Sequence, residues 1–283
     1  MGVNVLKRAF IGRAVGWLRA YNQNYDMAVF ANDHIGGAII TFGQYEKQFL
    51  EMTGQVLTEL THDVGFKDGT CLDIGANIGN HALFYSTIFK QVIAFEPNPI
   101  AYKLLEASVL KNRIANITIC TTALGSKKEK KILFICNENL GMSSLMQETK
   151  TDYPSFNLEI EITVGDDLIK EMVDEQSGIS FIKLDVEGFE AEALEGLRQT
   201  ILKYHPAISI ELNFASMNKP AEAALKVLGD LGYKNFYVLK RPNSSRNRYL
   251  DFMSRVLFGE KLVLSRLEKF EPMDYQQIFC VAN

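Results

Sequence analysis

From Thr70 onward, short apolar and β-branched runs alternate with stretches long enough for a helix, and this alternation most limits what the chain can fold into. The runs are Thr70–Ile74, Gln91–Phe95, Ile117–Thr121, Ile179–Leu184, Ala207–Ile210, Phe236–Lys240 and Ile278–Ala282, with helices expected at about 79–89, 99–113, 187–203 and 219–231. A helix between two strands returns the chain to the same end of the sheet, so such repeats give parallel neighbours. The expectation is an α/β, Rossmann-like fold: a mainly parallel sheet with helices on both faces. Lys131–Cys136 and Glu159–Val164 break the rhythm, and they predict a hairpin-like insertion near 125–165.

Two further segments stand outside the alternation. Residues 242–275 are too long for a turn between the last two strands. They mix Arg246, Arg248, Arg255, Lys261, Arg266 and Lys269 with Phe252, Met253, Val256, Leu257, Phe258, Leu262 and Leu264, which reads as an amphipathic helix packed on the domain or a substrate cap. Residues 1–41 read as an N-terminal helical extension to a domain over 42–283. In it, Val3, Leu6, Phe10, Ala14, Trp17 and Tyr21 recur at helical spacing with Arg8 and Arg19 opposite. The expected place of this helix is against the domain, with peripheral contact of residues 1–21 at the anionic inner face of a membrane as the alternative.

Composition narrows the partners. A net charge of -4 provides no basic footprint for nucleic acid, and no run approaches the ~20 apolar residues of a spanning helix. Cys71, Cys120, Cys136 and Cys280 form no C-x-x-C pair and have no histidine at ligand spacing, so no metal site is expected. They read as small buried hydrophobes in a reducing, cytoplasmic setting.

The chemistry gathers at the ends of three strands. The first runs into Asp73-Ile74-Gly75-Ala76-Asn77-Ile78-Gly79, after which Asn80 and His81 open a helix. Glycines at such a crossing admit close backbone approach, and the helix start offers free N–H groups. Asn77 stands where a pyrophosphate cradle would have a second glycine, and Asp73 would repel phosphate but suits a cationic ligand. The second strand ends in Glu96-Pro97-Asn98-Pro99, and an acid at this tip can accept both hydroxyls of a ribose. The fourth ends in Lys183-Leu184-Asp185-Val186-Glu187-Gly188, where the acids either cap the next helix or act on a ligand in the same crevice.

Taken together, D-I-G-A-N-I-G-N-H, F-E-P-N-P, F-I-K-L-D-V-E-G-F-E and I-S-I-E-L-N resemble the FkbM family of methyltransferases over roughly residues 42–214. Gly43-Gln44-Tyr45-Glu46 and Gly141-Met142-Ser143-Ser144-Leu145 also fall where that family has similar stretches. The resemblance implies a class I methyltransferase fold, a seven-stranded sheet whose last strand is antiparallel. It also implies S-adenosyl-L-methionine as cofactor and O-methylation of hydroxyls on a sugar, glycan or related small molecule. Carried over, it implies cofactor contacts from Glu46, Asp73, Gly75, Ala76, Asn77, Gly79, Asn80, Glu96, Pro97, Asn98 and Asp185. Asp185 and Glu187 would lie by the methyl group, and His81 is a further candidate base. Glu211, at the end of the fifth strand, is a candidate for orienting the acceptor.

Two other functions compete. A nicotinamide-dependent oxidoreductase would need a pyrophosphate-compatible turn, against which Asp73 and Asn77 argue. A non-catalytic glycan- or partner-binding module with the same fold would typically have lost the acids, yet Asp73, Glu96, Asp185 and Glu187 are all present.

Overall fold

The computed structural model describes Arg13 and residues 25–61, 65–136, 141, 143–145, 155–174, 176–214, 218–240 and 262–282. The amphipathic helix expected over 3–21 lies outside these residues, Arg13 apart, as does most of the segment 242–275.

Eleven strands are described: β1 Thr70–Ile74, β2 Gln91–Phe95, β3 Ile117–Cys120, β4 Ala123–Gly125, β5 Glu129–Cys136, β6 Ser155–Val164, β7 Ile179–Leu184, β8 Ala207–Asn213, β9 Tyr233–Lys240, β10 Val263–Arg266 and β11 Asp274–Ala282. The main sheet has the order β10-β9-β11-β8-β7-β1-β2-β3. Strands β3, β2, β1, β7 and β8 run parallel. The last strand, β11, inserts between β8 and β9 and is antiparallel to both. These seven strands form the class I methyltransferase sheet. An eighth, β10, pairs antiparallel with β9 at the edge, in the stretch that sequence reads as an amphipathic helix. Leu262 and Leu264 pack on the core while Val263 is half exposed, so the period of this piece is two rather than 3.6.

The two β-like runs that break the alternation form a second sheet. β5 and β6 pair antiparallel from Glu129–Ile162 to Cys136–Ser155, and β4 joins β6 in parallel to make a second sheet of three strands. At three residues, β4 is too short to show periodicity.

The helices are α1 His34–Phe42, α2 Lys47–Thr61, α3 Asn80–Tyr85, α4 Pro99–Asn112, α5 Gly165–Met172, α6 Glu190–Gly196, α7 Arg198–Tyr204 and α8 Asn218–Asp230. The single helix expected over 187–203 is two, broken at Leu197. The carboxylate of Asp166 accepts from the N–H groups of Gln199 and Thr200 at 2.9 and 2.8 Å, capping α7 as a new start.

Alternate residues of the central strands feed opposite faces of the sheet. Leu72, Ile74, Ile93, Ile182, Leu184, Ile208 and Ile210 belong to one core, and Cys71, Val92, Ala94, Phe181, Ala207 and Phe279 to the other. By the same parity Asp73, Lys183 and Ser209 lie on the second face. Register places them side by side across β1, β7 and β8, so a buried polar row crosses an otherwise apolar layer just before the strands end.

Candidate active site

A cleft of about 210 Å³ opens at the carboxyl ends of the parallel strands. Its floor is the turn after β1. Gly75 and Ala76 both donate to the carbonyl of Phe95 at 3.0 Å, which fastens the turn to the end of β2. Gly75 has φ +79° and Gly79, which caps α3, has φ +92°. A Cβ on Gly75 would run into the backbone oxygen of Asp185, and one on Gly79 into the Leu105 side chain. These glycines let the chain cross itself at the site, where sequence had suggested room for a ligand.

Glu96 latches the next loop. One carboxylate oxygen accepts from Asn77 N and the other from Asn98 N, each at 2.8 Å. Burial pushes its carboxyl up to about 7, against the pull of those two N–H groups and of Lys183. Each oxygen retains one lone-pair position beyond the latch, and the side chain lines the cleft.

Lys183 holds the centre. Its ammonium donates to the Gly75 carbonyl at 2.8 Å and pairs with Asp185 at 3.2 Å and Asp73 at 3.5 Å. Burial alone would lower its affinity for a proton, but Asp185 and Asp73 outweigh that and hold it above the usual lysine range. Asp73 is fully buried behind this ammonium and does not line the cleft, and neither of its oxygens has a hydrogen-bond partner.

The opposite rim is acidic. Asp185, Glu187, Glu211 and Glu46 line the cleft, together with His81. Burial, then Asp185 and Glu190, push Glu187 up to about 8. Burial, then Asp185 and Glu187, raise Glu211 strongly. Burial raises the Tyr45 phenol too, helped by all four rim acids. The His81 ring faces the Glu46 carboxylate at 3.3 Å. Among the described residues, no group of three or more His, Cys, Asp or Glu is placed to hold a metal ion.

The family model described as Methyltransferase FkbM domain matches residues 73–234, more than half of the chain. The chain belongs to the FkbM methyltransferase family. No curated protein sequence matches it. Among solved structures it is similar to the methyltransferase FkbM of Methylobacillus flagellatus KT, at 17% identity and a TM-score of 0.45. That match covers 96% of this chain and 60% of the other, so the chain spans less than two thirds of that protein. It is also similar to a precorrin-6y C5,15-methyltransferase of Geobacter metallireducens GS-15, at 12% identity and a TM-score of 0.42, covering 82% of this chain and 89% of that one. A third is the Aeropyrum pernix fibrillarin with natively bound S-adenosyl-L-methionine, at 11% identity and a TM-score of 0.40, covering 82% and 74%.

Of the residues expected from sequence, this member of the FkbM family gathers Glu46, Gly75, Ala76, Asn77, Asn80, His81, Glu96, Pro97, Asp185, Glu187 and Glu211 around one cleft. Asp73, Gly79 and Asn98 stand behind it. Asn98 caps α4 through Ile100 N at 3.0 Å, and the Asn80 amide is spent on the backbone of Tyr45. Sequence reasoning missed Lys183 and the apolar wall. Ile35 of α1 and Leu133 of β5 complete that wall, with Ala123 and Leu124, and the polar His34 and Thr122 lie beside them. Leu133 thus brings the second, three-stranded sheet into the site.

The raised carboxyls predict a pH dependence. A buried acid whose folded pKa lies above its ordinary value near 4.5 binds its proton more tightly folded than unfolded. Its stabilising contribution is therefore complete below that value and is lost as pH rises through the folded one. Glu96 and Glu190, both near 7, and Glu187, near 8, act in the same direction. The urea midpoint of the ligand-free protein is expected to fall from about pH 5 to about pH 8. A midpoint that rises over that range would show these acids ionise without penalty.

Proposed function

We propose that the chain is an S-adenosylmethionine-dependent O-methyltransferase acting on a hydroxyl of a sugar, glycan or related metabolite. The observation that carries this reading is Glu96. A buried carboxylate with two lone-pair positions to spare, at the tip of β2 and beside the glycine turn, suits the paired hydroxyls of a ribose. Glu187 and Glu211 add to it, because carboxyls whose protons are held by burial and then by neighbouring acids gain from a cationic ligand. Asn77 lines the cleft, and its buried Oδ1, which has no hydrogen-bond partner, is a candidate acceptor for the ligand's ammonium or ribose. Two phosphates of a nicotinamide dinucleotide would meet the same acids with repulsion.

S-adenosylmethionine supplies a methyl group already activated on a sulfonium. The residues must then align an acceptor hydroxyl with that group, exclude water and remove the hydroxyl proton. The apolar wall of Ile35, Leu124, Leu133 and Phe189 serves the second task. Asp185, at the end of β7 and partly open to the cleft, serves the third. Glu187 is the second reading for that role, since a carboxyl near pH 8 has a base strength matched to neutral conditions.

Calorimetry with S-adenosylmethionine and its demethylated product tests the cofactor. Glu96→Ala is expected to weaken binding at least about ten-fold, since hydrogen bonds to a charged group contribute roughly 1.5–3 kcal/mol each. Unchanged affinity in a folded variant would remove Glu96 from the ribose. Incubating the protein with methyl-labelled cofactor and extracts of its native host, then identifying the labelled product, tests the acceptor class.

A further inference from the structure

We propose that Lys183 is a positioning residue, a single ammonium that ties the carbonyl of the glycine turn to the carboxylate at the end of β7 and so fixes the cofactor turn against the acceptor-facing acids. The inference rests on the functional reading above and assigns a role to a residue that reading leaves idle. An ammonium has three donors, and three partners surround this one: Gly75 O, Asp185 and Asp73. The first belongs to the turn after β1 and the second to the crossing where that turn meets β7. Gly75 has no room for a Cβ against the Asp185 carbonyl, so the two backbones touch where Lys183 joins them. The third partner lies beneath both.

The ammonium also serves as the cleft's internal counter-charge. Asp73 reaches it from β1, Glu96 from β2, Asp185 from its own strand, Glu187 from the turn that follows, Glu211 from β8 and Glu46 from the start of α2. His81 and Gln277 line the small polar recess it shares with Asp185, Ser209 and Glu211. Among the described residues lining the cleft, no other lysine or arginine is present. Without this charge, Glu187 and Glu211 would hold their protons still more tightly, and as neutral carboxyls they would neither attract a sulfonium nor accept a hydroxyl proton.

A plainer role is that Lys183 only neutralises the buried Asp73, and a charge-balanced variant separates the two. Asp73→Asn/Lys183→Met removes the buried pair together, so a purely structural role predicts recovery of stability and of the site alike. We expect recovery of stability alone. In full-length protein labelled with ¹³C-glutamate, the NMR titration midpoints of Glu187 and Glu211 should rise by about one pH unit, and affinity for S-adenosylhomocysteine should fall about ten-fold. Asp73→Asn alone, which keeps Lys183 on Gly75 and Asp185, should hold that affinity within about three-fold. Wild-type midpoints and affinity in the double variant would overturn the proposal, as would an equal loss in Asp73→Asn. If the methionine variant does not fold, Asp73→Asn/Lys183→Gln replaces it: its amide can still bond Gly75 O, so affinity should recover while the midpoints stay high. Failure of both doubles to fold while Asp73→Asn folds would make Lys183 a core requirement and overturn the assignment. The titration uses no ligand, so it decides the role of Lys183 even if the wild-type protein binds no cofactor.

Discussion

Asp185→Asn is expected to cut methyl transfer by about 10²–10⁴-fold, the range for a lost general base, and to leave cofactor affinity largely intact. An alcohol is a weak nucleophile near neutral pH, and its proton must go to some group as the new bond forms. Asp185 is placed for this. Its N–H donates to Ile74 O at 3.0 Å, which fixes the backbone against the end of β1, and its carboxylate keeps one third of its exposure toward the cleft. Lys183, 3.2 Å away, holds that carboxylate in one orientation. Asparagine matches it in shape but cannot take a proton. The loss corresponds to roughly 3–5.5 kcal/mol of transition-state stabilisation. It is to be read with the acceptor identified by labelling, from turnover beside calorimetry on the same preparation. Near-normal turnover would pass the role to Glu187 or His81. A collapse in Glu187→Gln or in His81→Ala would say which.

The sequence shows strand ends better than it shows what meets across them. β1, β2 and β7 have the limits read from the sequence pattern, because each is a buried parallel strand written as a short, mainly apolar run. The acids that punctuate those runs were therefore legible as a crevice. Lys183 was not, although it stood in a quoted motif, because one lysine in an apolar run carries no partner in its own spacing. Its meaning depends on the register that sets it beside Asp73 across β1 and β7. Asp73, expected as a ligand contact, is buried and does not line the cleft for the same reason: position on a strand settles the face of the sheet, while depth below the edge decides exposure. The wall from α1 and the insertion was hidden because Ile35 and Leu133 are ordinary apolar residues, chosen as lining only by tertiary packing.

The second large effect is expected from Gly75→Ala, which should lower folding stability by about 2–5 kcal/mol and, in the fraction that folds, reduce affinity for S-adenosylhomocysteine about 100-fold or more. Two costs combine. At φ +79° a side chain pays the left-handed penalty of roughly 1–2 kcal/mol. The added methyl would also meet the carbonyl of Asp185, a backbone atom that no rotamer change can move aside. Relief requires β1 and β7 to part at their ends, where Asp185 N bonds Ile74 O and Lys183 bonds Gly75 O. The same movement draws Asn77 away from Glu96, so the cofactor turn and its latch fail together. Gly229→Ala is the control: it lies exposed in α8 with open space around it, and alanine there should be neutral or stabilise by up to about 1 kcal/mol through helix propensity. Urea denaturation of the two variants, with calorimetry on whichever folds, measures the contrast. If Gly75→Ala behaved like Gly229→Ala, the contact between the Gly75 turn and the end of β7 would be slack, and the turn would have to be held by Glu96 and the Phe95 carbonyl instead.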